Sequence, residues 1–401
     1  MIGGSRFKRA QRLRDVVGFG IDRTARAADQ ARSDWPVLRM ENLDTDLPLP
    51  PEAIPETVRG LERPEANSWL PFTGDLDLRA AIADFVAART GHRYDPQREI
   101  VITSGGTEGI LDVLLATVDP GDEVLLTDPT YAGIVNRVRL AGGVPRLVPY
   151  AVRDGEWRLD LEALTAAVSD RTALGVIMSP SMPSGAVLTE AEWAAVCDLG
   201  LPLLYDAAME RLLFDGRPLV HPLRFDGMAE RTVVVGSMSK EHRMIGWRVG
   251  WIAGPAEIVD AAGWVHVYNT TTPTGVARAA ATAVLHGDQG HVADAVAELE
   301  RRRDAILEAL AGWPVVRPAG GWSLLIDAAA LDLAPADLSR MLLKDAAIAA
   351  TPMTGWGGPV ADRHVRLVFS AEPLDRLRTI RQRFAGTRLA DYGSSPRTAR
   401  T

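Results

Sequence analysis

Two periodicities alternate along the chain from residue 76 onward. LDLRAAIADFVAART (76–90) places its apolar residues at helical spacing and predicts an amphipathic helix. EIVIT (99–103) follows as a short apolar run, then a glycine-rich turn, then GILDVLLATV (109–118), again with helical spacing. EVLLTD (123–128), VPRLVPY (144–150), ALGVIMSP (173–180), PLLYDA (202–207), TVVVG (232–236) and VGWIAG (249–254) predict further strands. Several are continuously apolar, the pattern of strands covered on both faces by helices. Seven strands with helices between them predict an α/β domain built on a mostly parallel sheet.

The texture changes after about residue 285. VADAVAELERRRDAILEALAGW (292–313) predicts a long amphipathic helix, and the short runs WSLLIDA (322–328) and HVRLVFS (364–370) predict strands. The expected division is a large domain over 48–285 and a smaller α+β domain over 286–387, which the amino-terminal segment 1–47 joins. The tail 388–401 is polar and aperiodic and is expected to be disordered. No internal repeat is found.

Composition narrows the class. At 401 residues and 47% hydrophobic, the chain can bury a large core. A net charge of −8 gives nothing global to attract nucleic acid or an anionic membrane. One cysteine, Cys197, excludes an internal disulfide framework and fits a reducing compartment. No apolar run approaches the roughly 20 residues that span a bilayer, and the amino terminus lacks a secretory apolar stretch. The expectation is a cytoplasmic globular protein. The basic run RFKRAQRLR (6–14) reads as a solvated face, with a small interaction helix as the alternative.

Three stretches carry chemistry. TSGGTEGILDVL (103–114) puts two glycines and a threonine between a strand and a helix, where bare amides and the helix dipole can hold an anion. It is neither a Walker loop nor a GxGxxG fingerprint, and a plain turn is the alternative. Asp206 closes PLLYDA at a strand's carboxyl end, where α/β sheets hold ligands; a helix cap is the other reading. SMSKEHRMIGWRVGW (237–251) sets Lys240 and Arg248 in runs that read as buried. A lysine in a partly apolar site can lose its proton and form a Schiff base. A buried arginine needs an anion, and a phosphate or a structural carboxylate would serve.

Together, strand–GGT–helix, DPTY, PSG, YD and SxSK(x)7R resemble, in order and spacing, the class I/II aminotransferases of fold type I, over roughly residues 35–385. The resemblance implies pyridoxal 5'-phosphate as cofactor, an aspartate-aminotransferase-like fold with a large cofactor-binding domain, and a homodimer with sites at the subunit interface. It implies that Lys240 holds the cofactor and shuttles the proton, and that Asp206 faces the pyridine nitrogen. Gly105, Gly106, Thr107, Ser237 and Arg248 would surround the phosphate, Tyr131 would stack on the ring, and Arg366 would clamp the substrate α-carboxylate.

Four positions depart from the family pattern. Met182 and Met209 stand where an asparagine and a tyrosine donate to the cofactor's phenolic oxygen, Trp69 stands for a tyrosine that reaches the partner's phosphate, and Leu43 falls near a pocket-lining glycine. Each lost charge-assisted bond is worth about 1.5–3 kcal/mol. Ser181, Ser184, Tyr205 or His242 are the candidate replacement donors, and TPMTGWGG (351–358) is a candidate lid. The leading reading is an aminotransferase exchanging an amino group between a small amino acid and a 2-keto acid. A lyase or replacement enzyme acting at the β or γ carbon is the alternative. An effector domain of a DNA-binding regulator is disfavoured, because only about 40 residues precede the family-like part.

Overall fold

The apolar runs fold into strands β1 (Leu38–Arg39), β2 (Ile100–Thr103), β3 (Glu123–Asp128), β4 (Val144–Arg153), β5 (Glu156–Leu159), β6 (Thr172–Met178), β7 (Leu203–Asp206), β8 (Thr232–Ser237), β9 (Gly250–Ala253), β10 (Ser323–Asp327), β11 (Ile348–Ala349), β12 (Thr351–Pro352) and β13 (His364–Val368). The structure, a computed structural model, describes residues 7, 8, 10–16, 18 and 20–393. The main sheet has eight strands in the order β2-β9-β8-β7-β6-β3-β4-β5. The β4/β3/β6/β7/β8 pairings are parallel, while β9 runs antiparallel to β8 and β2.

All seven expected strands are present. The eighth, β5, is a hairpin return on β4, turned at Asp154 and Gly155, both with positive φ. An Asp-Gly pair between alternating residues is the signature of such a turn, so the signal was there to read.

Packing on both faces explains why the central strands are nearly all apolar. Val233 and Val235 of β8 and Leu204 of β7 join a core with helices Gly106–Thr117, Ala132–Ala141 and Ala256–Asn269. Val234, Leu203 and Tyr205 point to the opposite face and a second core. Both faces of these central strands exclude water, so β7 and β8 are apolar over most of their length, whereas β4 and β5 at the sheet edge carry exposed and half-buried polar positions. Helix Leu76–Thr90 matches the expected span, with the Asp75 side chain capping its start and Gly91 (φ 79°) ending it.

Helix Gly290–Ala309 precedes a three-stranded sheet, β10-β13-β12, while β1 pairs in parallel with β11 and ties residues 38–39 to the carboxyl-terminal part. Disorder from residue 388 was expected, but Arg388–Gly393 form a 3-10 helix. Leu389 is fully buried there and the Tyr392 ring packs on Trp313, enough apolar contact to order the turn. The remainder of that tail lies outside the described residues. In the basic amino-terminal run only Gln11–Leu13 form a 3-10 turn, and parts of the run likewise lie outside the described residues. Among the described residues, no helix is long and apolar enough to cross a membrane.

Candidate active site

The loops leaving the carboxyl ends of β3, β6, β7 and β8 converge on one cavity of about 350 Å³. Strand ends of one polarity meet there, so the fold itself dictates where side chains can gather. β8 ends at Ser237, whose Oγ accepts from Ser239 N at 3.0 Å, and this tight turn delivers Lys240 to the cavity. Lys240 Nζ donates to the Leu43 carbonyl at 3.0 Å and lies 4.6 Å from the Trp322 ring centre. Burial lowers its pKa to about 8; Asp44 and Asp206 oppose that shift, while Arg366 and Arg248 add to it.

Asp206 is the last residue of β7, in register with Met178 on β6 and Val235 on β8. Its carboxylate accepts from Ala208 N at 3.1 Å. Burial raises its pKa to about 6, against the pull of that bond and of Arg137 and Lys240.

The glycine turn after β2 begins helix Gly106–Thr117, and Gly106 and Thr107 line the cavity. Gly105 does not line it but lies directly under Arg248. Its φ is +85°, and a Cβ there would come within 2.3 Å of Arg248 Nη2. Arg137, which the sequence reading missed, holds the Thr107 carbonyl at 2.7 Å.

Arg248 departs from expectation. It lines the cavity, yet its side chain is exposed, not buried. It follows a 3-10 turn at φ 55°, and its guanidinium reaches out to the Ile245 and Ser104 carbonyls, each at 3.0 Å. The flanking Trp247 and Val249 suggested burial, but the left-handed turn redirects the side chain between them.

Arg366, on β13, is fully buried. It donates to the Glu41 carbonyl at 2.7 Å and to Met182 Sδ at 3.6 Å, and sits 4.5 Å from the Trp356 ring centre. Its Nε has no hydrogen-bond partner among the described residues, and burial lowers its pKa to about 10. Tyr131 lines the cavity with its ring 6.1 Å from that of Trp356.

Trp69 is not in this cavity; it stands 79% exposed on the surface. Met182, Met209 and Leu43 all line the wall. The four replacement donors do not. Tyr205 bonds the Ser179 carbonyl, His242 faces His291, Ser184 accepts from Ala186 N, and the buried Ser181 side chain faces Tyr150. The segment 351–358 is packed as wall, with Trp356 buried and its carbonyl accepting from Thr130 N at 3.1 Å. Ile21, Asp22 and Asn42, from the amino-terminal segment, complete the lining. They carry no local motif that would have announced them.

The donor set suits a phosphorylated aromatic cofactor. Amides at a helix start, a hydroxyl and a guanidinium gather near Gly106, Thr107, Ser237 and Arg248, while Lys240 lies within electrostatic reach of both Arg248 and Arg366.

Residues 38–383 match the family described as aminotransferase class I and II. The chain is 32% identical over 358 residues to the LL-diaminopimelate aminotransferase of Desulforudis audaxviator, covering 88% of this chain and 91% of that one. It is 30% identical over 370 residues to the aspartate aminotransferase of Streptomyces avermitilis, covering 86% and 88%. The solved N-succinyldiaminopimelate aminotransferase from Mycobacterium tuberculosis superposes with a TM-score of 0.86 at 29% identity, over 94% of this chain and 99% of that one. With the cavity geometry, the sequence match and the superposition in agreement over nearly its whole length, the chain belongs to the class I and II aminotransferases.

Proposed function

We propose that this cavity binds pyridoxal 5'-phosphate and exchanges an amino group between a small 2-amino acid and a 2-keto acid. One observation carries the reading: two cations, the fully buried Arg366 and the half-buried Lys240, face one cavity, and no carboxylate among the described residues forms an ion pair with either. Uncompensated buried charge is costly and is kept where a ligand completes it. Gly105, Gly106, Thr107, Ser237 and Arg248 would hold the phosphate, Tyr131 a ring face, and Asp206 the ring nitrogen. Trp69, exposed on one chain, would reach the site of a second copy.

When bound, the cofactor supplies an electron sink beside the substrate α-carbon. The rest falls to the chain. Arg366 would take the α-carboxylate in a planar fork, with its free Nε as one tine. That fixes the α-hydrogen relative to Lys240. Nζ, with its pKa near 8, can accept and return a proton close to neutral pH. Trp356, Met182 and Met209 keep the walls apolar and water out. In this reading 48–285 form the cofactor domain, and 1–47 with 286–387 the small domain. The relatives' names span diaminopimelate and aspartate, so the reaction class carries over more firmly than the side chain accepted.

The test uses the chain's sparse lysines: Lys8, Lys240 and Lys344 are the only three. Borohydride reduction of the purified, coloured protein should place a mass adduct on the Lys240 peptide alone. In a separate, unreduced sample, amino acids should turn over only when a 2-keto acid is present. Turnover without an acceptor would identify a lyase and overturn the proposal.

A further inference from the structure

Behind the anion-binding turn, helices Gly106–Thr117 and Ala256–Asn269 pack together and enclose three titratable side chains. Glu108 and Asp112 lie one turn apart on the same helix face, and His266 meets them from the other helix. Asp112 and His266 are both fully buried. His266 Nδ1 is 3.0 Å from Glu108 Oε1 and 4.0 Å from Asp112 Oδ2. One ligand atom from each residue lies within 4.8 Å of the other two.

Glu108 is fully satisfied: Oε1 accepts from His266 and Thr270 Oγ1, and Oε2 from Ser104 N. Asp112 is not. Among the described residues neither of its oxygens has a hydrogen-bond partner, and neither does His266 Nε2. Burial, then the Glu108 charge, push the Asp112 carboxyl up to about 7. His266 opposes the shift, as does Asn269, which is near enough to favour the ionised form without completing a bond. Nothing in the transamination reading uses these groups. A buried carboxylate without donors calls for a proton or a cation.

We propose that Glu108, Asp112 and His266 form a binding site for a divalent transition-metal ion, separate from the cofactor cavity. One imidazole and two carboxylates are the donor set of zinc, manganese or ferrous iron, whereas calcium and magnesium take oxygen ligands. Bonds of about 2.0–2.2 Å at tetrahedral angles place ligand atoms roughly 3.3–3.5 Å apart. Side-chain shifts of about 1 Å would bring the observed separations to that value. The ion takes the lone pair of His266 Nδ1, the proton there moves to Nε2, any proton on Asp112 is released to solvent, and two carboxylates balance the ion's charge. A water would fill the fourth position. Because Glu108 also holds the amide of Ser104, the residue before Gly105, the ion would brace the turn that the phosphate proposal relies on.

Zinc is the probe. Full-length protein expressed in zinc-supplemented medium and desalted should carry one zinc per chain by elemental analysis. Asp112→Asn and His266→Gln should each retain at least about tenfold less. X-ray absorption at the zinc edge should show only nitrogen and oxygen neighbours. If either variant fails to fold, the other still decides the question. Equal trace zinc in wild type and a folded variant, or a sulfur neighbour, would overturn the proposal and leave a cluster that merely shares protons.

Discussion

Arg303 and Arg366 are the same side chain at the same depth, 1% and 0% exposed, each near an aromatic ring, yet they solve burial in opposite ways. Arg303 forks onto Asp215 through two 2.9 Å bonds and gives its Nε to Asp304 at 2.9 Å. Burial works against its charge, but those bonds outweigh it and hold the guanidinium above its ordinary pKa. Arg302 does the same with Asp46 and Glu298. Arg366 has a carbonyl, a sulfur and a ring, and its pKa falls to about 10. A cation matched by the fold supports the fold; one left unmatched at a cavity supports a ligand.

The harshest way to break the comparison is to remove the unmatched amine. Lys240→Ala should lower the rate of the amino-acid half-reaction, followed by stopped-flow absorbance, by about 10³-fold or more, since positioned acid–base groups contribute up to about 10⁴. Lys344→Ala, on helix Pro335–Ala346, should leave that rate unchanged. A comparable loss in both would remove Lys240 from its proposed role.

The arginines sharpen the contrast. Arg366→Met should cut kcat/KM by about 30- to 1000-fold through loss of a charge-assisted fork, about 2–4 kcal/mol. The same change should leave the stability of the cofactor-free chain unchanged or raise it by about 1–3 kcal/mol, because an unmatched buried charge is gone. Arg303→Met should do the reverse, destabilising by about 1–3 kcal/mol with little direct effect on turnover. Its penalty stays in that lower range because Asp215 is partly exposed and keeps Arg317. Urea unfolding of both variants reads the two signs. If both substitutions destabilise alike, the division between matched and unmatched cations fails.

The sheet was legible because double burial forces apolar runs, and seven such runs became seven strands. The candidate site was legible where chemistry is tied to a strand end: Asp206 and Ser237 close their strands, Lys240 follows β8 by three residues, and Gly105 immediately precedes a helix. Arg248 shows the limit. Its neighbours Trp247 and Val249 spoke for burial, but a single residue at φ 55° sent the side chain outward. Ile21, Asp22 and Asn42 were beyond reach because the pairing of β1 with β11, not a local pattern, anchors the amino-terminal segment near the cavity. Trp356 was hidden for a similar reason: a Gly- and Trp-containing loop reads as mobile until its contacts with Thr130 and Arg366 are known.

The gentlest probe of the unmatched charge is pH. In the folded, cofactor-free chain Lys240 gives up its proton at about 8, whereas its ordinary value is 10.5. Between those values the unfolded chain binds the extra proton, so raising the pH favours the native state. A difference of that size corresponds to at most about 3 kcal/mol at one site. Asp206 runs the other way. Its carboxyl titrates near 6 against an ordinary 3.8, so the native state holds the extra proton between them and loses that advantage as pH rises. The part of the cofactor-free protein's urea midpoint that these two groups set should therefore fall from pH 4 to 6 and rise from pH 8 to 10, beside the part set by other shifted groups such as Asp112. Lys240→Met should flatten the upper limb and Asp206→Asn the lower, each moving the other only through the attraction between the two charges. An upper limb that persists in Lys240→Met would mean the amine is solvated and matched after all, and the contrast with Arg303 would then rest on Arg366 alone.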